Sequence, residues 1–365
     1  MSAQLQSEPD TAVLSFFQNH TYAETAEKFA CSVGSVWRIV QTADAFKTRE
    51  RRAERAEERK RRTLAQFKEL LDQTVTSDVI AFLRDLPDEA VHIAVTSPPF
   101  NVGKAYDGIP GDRTMRALYY EGWLTCIVSE LARILKPGGT AFLEIGTTKD
   151  DDERRIPLDV LLFPIMRRAN LDYASRIVWP TPHGLTPRRR VAERYETALI
   201  FSKPGASQTF NPAPGRLPQK YPGKRAFHGP RIGELTGHPQ GSHPSDVWDD
   251  VRHLRHNDGE KVESHPAQFP IAIARKAILM YSMPGDVVLD PFSGSGSTQI
   301  AALQTGRHFI GADLFYEEVR RDRLASIEPD RVSLLPGVSE DNMAVWQAEA
   351  RRREIPALPF TENVA

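Results

Sequence analysis

Two short segments hold the residue types best suited to gripping and orienting a ligand. Val95-Thr96-Ser97-Pro98-Pro99-Phe100-Asn101 sets a hydroxyl beside an aromatic face. Its two prolines fix φ and stiffen the loop that carries them. Asp290-Pro291-Phe292-Ser293-Gly294-Ser295-Gly296-Ser297-Thr298 has glycines where a backbone must come close to whatever is bound. The chemistry implied is placement: a stiff hydroxyl-and-aromatic platform and a loop open to close approach.

Such loops need a sheet to present them. They follow the apolar runs Val91-His92-Ile93-Ala94-Val95 and Val287-Val288-Leu289, so both read as loops leaving buried strands. Open α/β sheets hold their ligands at such strand ends. Thr74 to Thr76, Thr140 to Ile145, Tyr173 to Trp179, Thr197 to Phe201 and Phe309 to Asp313 read as further strands. Trp123 to Leu135 has the 3.6-residue spacing of an amphipathic helix, stopped by Lys136-Pro137-Gly138-Gly139. Ile271 to Met280 reads as another helix, and the glycine loop itself runs into Ile300-Ala301-Ala302-Leu303.

Together the two loops resemble those of the amino-group DNA methyltransferases, which methylate an exocyclic nitrogen of adenine or cytosine with S-adenosylmethionine. The resemblance implies an α/β fold with a Rossmann-like class I adenosylmethionine-dependent methyltransferase sheet. The target-base motif precedes the cofactor loop, as in the permuted β-group of that family. By resemblance, Ser97, Pro98, Pro99 and Phe100 hold the target base. The cofactor falls to Thr96, Asp290, Phe292, Ser293, Gly294, Ser295, Gly296 and Thr298. His265-Pro266-Ala267-Gln268-Phe269-Pro270 resembles the family's His-Pro-x-x-x-Pro segment and adds Gln268 and Phe269. Asp313 ends the strand after the glycines, where a carboxylate grips a ribose diol. Asp78 matches a cofactor-contacting acidic position, although Ser77 stands where the family usually has Gly.

Four segments complete the expected organisation. Residues 1–48 form a small all-α domain that resembles a helix-turn-helix. Thr21 and Glu24 stand in capping-box register there. Ser35, Trp37 and Arg38 would meet DNA by that resemblance, the alternative being a helical packing or dimerisation module. Residues 49–71 are a charged helical linker, 72–338 the catalytic domain and 339–365 a tail without a usable motif. Within the catalytic domain, 203–263 loses hydrophobic periodicity and sits where the β-group carries its target-recognition region. Its Lys220, Lys224, Arg225 and Arg231, interleaved with Tyr221 and Phe227, suit phosphates and stacked bases. Lys104 and the run Arg188, Arg189, Arg190 are further DNA-contact candidates. Six of the ten histidines (His228, His238, His243, His253, His256 and His265) fall in or just after this insert. Only His253 and His256 approach paired metal-ligand spacing, and no cysteine is near, so no metal is expected.

The net charge of −1 over 365 residues does not announce a nucleic-acid binder, but it hides local asymmetry. Cys31 and Cys126 are too few for a disulfide framework, and no long uncharged apolar run is present. The chain therefore reads as cytoplasmic with no membrane partner. Its expected partner is double-stranded DNA. A homodimer and a separate restriction endonuclease are further candidates. By the same resemblance, Thr-Ser-Pro-Pro-Phe is the form of the motif that goes most often with N4 of cytosine, and N6 of adenine is the alternative. Competing readings are methylation of RNA or of protein glutamine, or a DNA-binding regulator with a degenerate catalytic domain. The basic insert argues against the first two, and the intact loops against the third.

Overall fold

The computed structural model describes residues 21–30, 64–104, 115–181, 187–238 and 240–327, with isolated positions at 15, 36 and 40. The strands are β1 (Gln73–Thr76), β2 (Val91–Thr96), β3 (Leu135–Ile145), β4 (Thr147–Lys149), β5 (Arg155–Pro157), β6 (Asp172–Pro180), β7 (Tyr195–Ser202), β8 (Val287–Asp290) and β9 (His308–Asp313). Seven of them form one sheet in the order β1-β9-β8-β2-β3-β7-β6. Strands from β1 across to β3 run parallel, and β7 lies antiparallel to both β3 and β6.

Parallel strands are covered on both faces, so their side chains are apolar without alternation. β2 shows this: Ile93, Ala94 and Val95 are all at most 1% exposed. Ala94 joins a core layer with Leu124, Leu131, Ile134 and Leu162, while Ile93 and Val95 join the opposite layer with Phe142, Ile273 and Ile278. The helices Ala117–Ile134 and Leu158–Arg168 serve the first layer, and Ile271–Tyr281 the second.

The strand order decides where a ligand can sit. β2 leads to β3 on one side, while its other neighbour, β8, leads to β9. The crevice above β2 and β8 is thus the switch point at which an open α/β sheet binds ligands.

Several expectations meet the structure differently. Phe67, inside the expected linker, is only 8% exposed and packs in the first core layer with Leu70 and Leu71 alongside. The packed core thus takes in residues on the amino-terminal side of Asp72. The helix Leu158–Arg168 was not anticipated, because Pro164 lies inside it. The capping box on Tyr22–Lys28 is present, with Thr21 and Glu24 bonded reciprocally. Ser35, Trp37 and Arg38 lie outside the described residues, as do 49–63 and 328–365.

The insert is built rather than structureless. Short bridges Leu217↔Ser242, Arg225↔Leu235 and Ala226↔Ile232 fold it on itself. Its far end is clamped to the second layer by Lys276, which is 3% exposed. The Lys276 ammonium donates to both carboxylate oxygens of Asp250 at 2.7 and 2.8 Å and lies 4.7 Å over the Trp248 ring. Lys276→Ala would leave Asp250 without its partner and Trp248 without its cation. We expect a loss of about 2 kcal/mol, less than for a fully enclosed pair because Asp250 is partly exposed. Residues 240–253 should then become protease-sensitive below the melting temperature. A variant that melts and resists proteolysis as the wild type does would show that the clamp is not needed.

Candidate active site

Thr96, the last residue of β2, donates its hydroxyl to Asp290 Oδ1 at the end of β8, 2.7 Å away and 194 residues along the chain. Both side chains are buried, and burial pushes the Asp290 carboxyl up to about 6. Thr298 donates to the Val95 carbonyl at 3.3 Å. These three expected cofactor residues tie the two loops together from beneath.

Above them lies a cavity of about 450 Å³, within the usual range for small-molecule sites. Ser97, Pro98, Pro99 and Phe100 line it, as do Phe292, Ser293, Gly294 and Ser295. Asp78, Gln268, Phe269 and Asp313 also reach it. Thr96, Asp290, Gly296 and Thr298 do not, being enclosed or turned below.

The glycine loop is shaped by its backbone. Gly294 has φ +47°, and a Cβ there would meet His265 Nε2 at 2.5 Å. Its N–H donates to Asp313 Oδ2 at 2.7 Å, and its carbonyl accepts from the buried Arg320 at 2.9 Å. Gly296, at φ +88°, opens the helix Ser297–Gln304. His265 is held down to about 4, chiefly by burial and then by Lys261 and Arg323, so it packs as a neutral ring. Asp78 caps the helix Val79–Asp85, accepting from Ile80 and Ala81 at 2.9 and 3.1 Å. The Gln268 amide is spent within its own segment, on Val262 and Glu260.

The Pro-Pro loop is equally fixed. The Tyr120 hydroxyl donates to the Pro99 carbonyl at 2.6 Å. The Phe100 ring lies so close to Gly146 that a Cβ there would come within 2.8 Å of it. Ser97, which lines the cavity, donates its hydroxyl to Glu144 Oε2 at 2.7 Å, so its oxygen keeps the capacity to accept.

Glu144 escaped the sequence reading, as did Glu196 and the Trp179–His253 pair. All four line the cavity. The Glu144 carboxyl is raised well above the usual range by burial, then by the charge of Glu196, with which it is in hydrogen-bonding reach. Burial also raises Glu196, against the pull of Lys104. Burial and the neighbouring carboxyl thus both act against Glu144 carrying its charge. A signal existed: each is a carboxylate close to an apolar run, Ala141 to Leu143 in one strand and Ala198 to Phe201 in the other.

Of the expected DNA contacts, Lys104 lines the cavity mouth. Arg188, Arg189, Arg190, Lys220, Lys224, Arg225 and Arg231 are exposed and away from it. Arg231 is paired with Glu234 at 2.8 Å, and Arg225 donates to the Gly233 carbonyl at 2.5 Å. Tyr221 and Phe227 stand beside them, 65% and 76% exposed. Among the described residues no helix is long and apolar enough to cross a membrane.

A family model described as DNA methylase, of N6 and N4 methyltransferases, matches residues 91–321. The type II methyltransferase M.BglII of Bacillus subtilis is 38% identical over 74% of this chain and 73% of its own length. The DNA adenine methyltransferase YhdJ of Escherichia coli K12 is 29% identical over 67% of this chain and 79% of its own. The solved structure of PvuII DNA methyltransferase, described as cytosine-N4-specific, covers 75% of this chain and 90% of its own, with a TM-score of 0.52 at 19% identity. At that identity the likeness speaks for the fold.

Proposed function

Because the chain belongs to the DNA methylase family of N6 and N4 methyltransferases, whose model spans residues 91–321, we propose that it methylates an exocyclic amino group of a base flipped out of duplex DNA, N4 of cytosine in preference to N6 of adenine. The observation that carries this is the Ser97 hydroxyl, committed to Glu144 at 2.7 Å beside the switch-point cavity.

S-adenosylmethionine supplies an activated methyl group on a good leaving sulfur. The residues present fit it: an open cavity of about 450 Å³, a glycine loop with left-handed turns, and Asp78 and Asp313 in its lining. Gly294, Ser295, Phe292 and Asp313 would hold it there. In this reading Thr96, Asp290 and Thr298 act from below by fixing the loops.

The chain's own residues handle the acceptor. An exocyclic amine is a poor nucleophile, because its lone pair is delocalised into the base ring. Ser97 Oγ and the Pro98 carbonyl accept its two hydrogens, turning the nitrogen toward a tetrahedral shape and aiming it. Positioning of this sort lowers a barrier by several kcal/mol. Phe100 offers its face to the base, which must leave the duplex at a cost of about a few kcal/mol. After transfer the cationic nitrogen loses a proton, and the nearby Ser97–Glu144–Glu196 chain gives that proton a polar route.

Preference for cytosine rests on Thr-Ser-Pro-Pro-Phe, with adenine as the alternative, since Ser simply accepts a hydrogen bond and would serve either. Enzymatic digestion of DNA methylated by the enzyme decides the point. N4-methylcytosine would support the preference, N6-methyladenine would reverse it, and neither would sink the reading.

The remaining DNA contacts follow the same proposal. The exposed basic and aromatic residues of the insert, with Arg188 to Arg190, meet the duplex outside the cavity. The amino-terminal segment is a second DNA-binding unit. Removing residues 1–48 should weaken DNA binding and flatten its salt dependence, because fewer phosphates are neutralised. Cofactor affinity should not change. An unaltered salt slope would point instead to packing or dimerisation. A second copy of the chain and a separate endonuclease remain candidate partners.

A further inference from the structure

At the carboxyl end of the sheet, side chains from four strands stand in a row. Ser97 follows β2, Glu144 is on β3, Glu196 is on β7, and Trp179 on β6 is the register partner of Glu196. The row ends on His253, contributed by the insert, whose ring lies on Trp179 at 3.4 Å between centroids and 9° between planes. Each ring is also pinned by a polar bond to the other's segment. Trp179 Nε1 donates to the Val251 carbonyl at 2.7 Å, and His253 Nε2 meets the Pro180 carbonyl at 3.1 Å.

The two rings differ in exposure. Trp179 is 3% exposed, while His253 is only half-buried and lines the cavity. One face of the imidazole is taken by Trp179 and its Nε2 edge by Pro180. His253 is among the residues that line the cavity. Burial lowers its pKa from the ordinary value, so the ring is uncharged near neutrality.

Phe100 presents the matching aromatic wall. Its ring is seated on Gly146, just past the end of β3. β3 and β6 are separated only by β7, so their axes lie about 10 Å apart. Phe100 and His253 line the same cavity, with Ser97 and Glu144 in its lining as well.

We propose that His253 is a base-contacting residue that forms the second wall of the target-base pocket, so that the extruded base stacks between Phe100 and the Trp179-backed imidazole. This rests on the amino-methyltransferase reading above and adds a residue to it. It also gives the insert a direct part in capturing the base.

The test uses the full-length enzyme and a duplex bearing its mapped methylation site, in single turnover with saturating S-adenosylmethionine. His253→Ala should raise the DNA concentration at half-saturation by about 5- to 100-fold, the range of one lost base–aromatic stack. The rate at saturating DNA should change by no more than about twofold. His253→Phe, which keeps a flat ring but not the bond to Pro180, should restore most of the loss. A mismatch at the target base lowers the extrusion cost and should partly rescue His253→Ala. Cofactor affinity should match the wild type in both variants, while a small drop in melting temperature follows from losing the Pro180 bond and, in alanine, the stack on Trp179. Unchanged half-saturation in His253→Ala would overturn the proposal. So would a His253→Phe as defective as alanine, since the ring would then serve only to anchor the insert. If the wild-type enzyme methylates no duplex at all, the parent reading fails with it, whereas wild-type transfer with an indifferent His253→Ala overturns this proposal alone.

Discussion

Ser97→Ala is expected to lower the single-turnover rate of methyl transfer by about 100-fold or more while leaving DNA and cofactor binding nearly unchanged. Removing one preorganised hydrogen-bonding group from a reacting centre typically has an effect of that order, about 3 kcal/mol. The loop should keep its shape, because Pro98 and Pro99 fix its backbone and Tyr120 still donates to the Pro99 carbonyl. What is lost is an acceptor aimed by Glu144. The substitution also strips Glu144 Oε2 of its hydroxyl donor. A small drop in melting temperature should accompany the kinetic loss. Wild-type rates in folded Ser97→Ala would exclude the hydroxyl from activating the amine.

Gly294→Val should abolish measurable cofactor binding, an affinity loss of about 100-fold or more, in a protein that still folds. Two effects add. A branched residue at φ +47° is strained by about 1–3 kcal/mol. Its Cβ would also lie 2.5 Å from His265 Nε2, and that ring is 7% exposed and cannot simply swing out. Relief requires the loop to move, which breaks the Gly294 bond to Asp313 and the bond from Arg320. Two lining residues are then displaced at once. Calorimetry with S-adenosylmethionine reads the loss, and circular dichroism checks the fold. Full affinity in the folded variant would remove the glycine loop from the cofactor site.

What could be read from the sequence was what local chemistry dictates. Ile93 to Val95 of β2 and Val287 to Leu289 of β8 are apolar without alternation because both sheet faces are covered, and the loops after them carry proline and glycine for backbone reasons visible residue by residue. Capping at Thr21 was legible for the same reason. Other features depended on contacts distant in the chain. Nothing near Glu144 says that Glu196 is its neighbour, or that Ser97 will donate to it. Trp179 and His253 meet only because the insert returns to β6 at the Val178↔Val247 bridge. Phe67 looked like the end of a charged helix, and only the fold places it in the core. Pro164 hid a helix, since proline removes an amide donor that the surrounding packing can spare.

The position of β2 in the sheet bears on how the chain comes to its final form. Its partner β3 follows promptly, whereas β8 must arrive from far along the chain, as the 194-residue span from Thr96 to Asp290 measures. Contacts of such separation form slowly, because the intervening chain must be closed first. During synthesis the apolar Val91–Thr96 run therefore waits with one edge unpaired, the condition under which strands associate wrongly. The Thr96–Asp290 bond joins the two loops that make the pocket, so a nascent chain acquires its binding site only when its last third has been made and docked. Until then it is a half-built sheet in need of protection, and its ligand cannot help it fold.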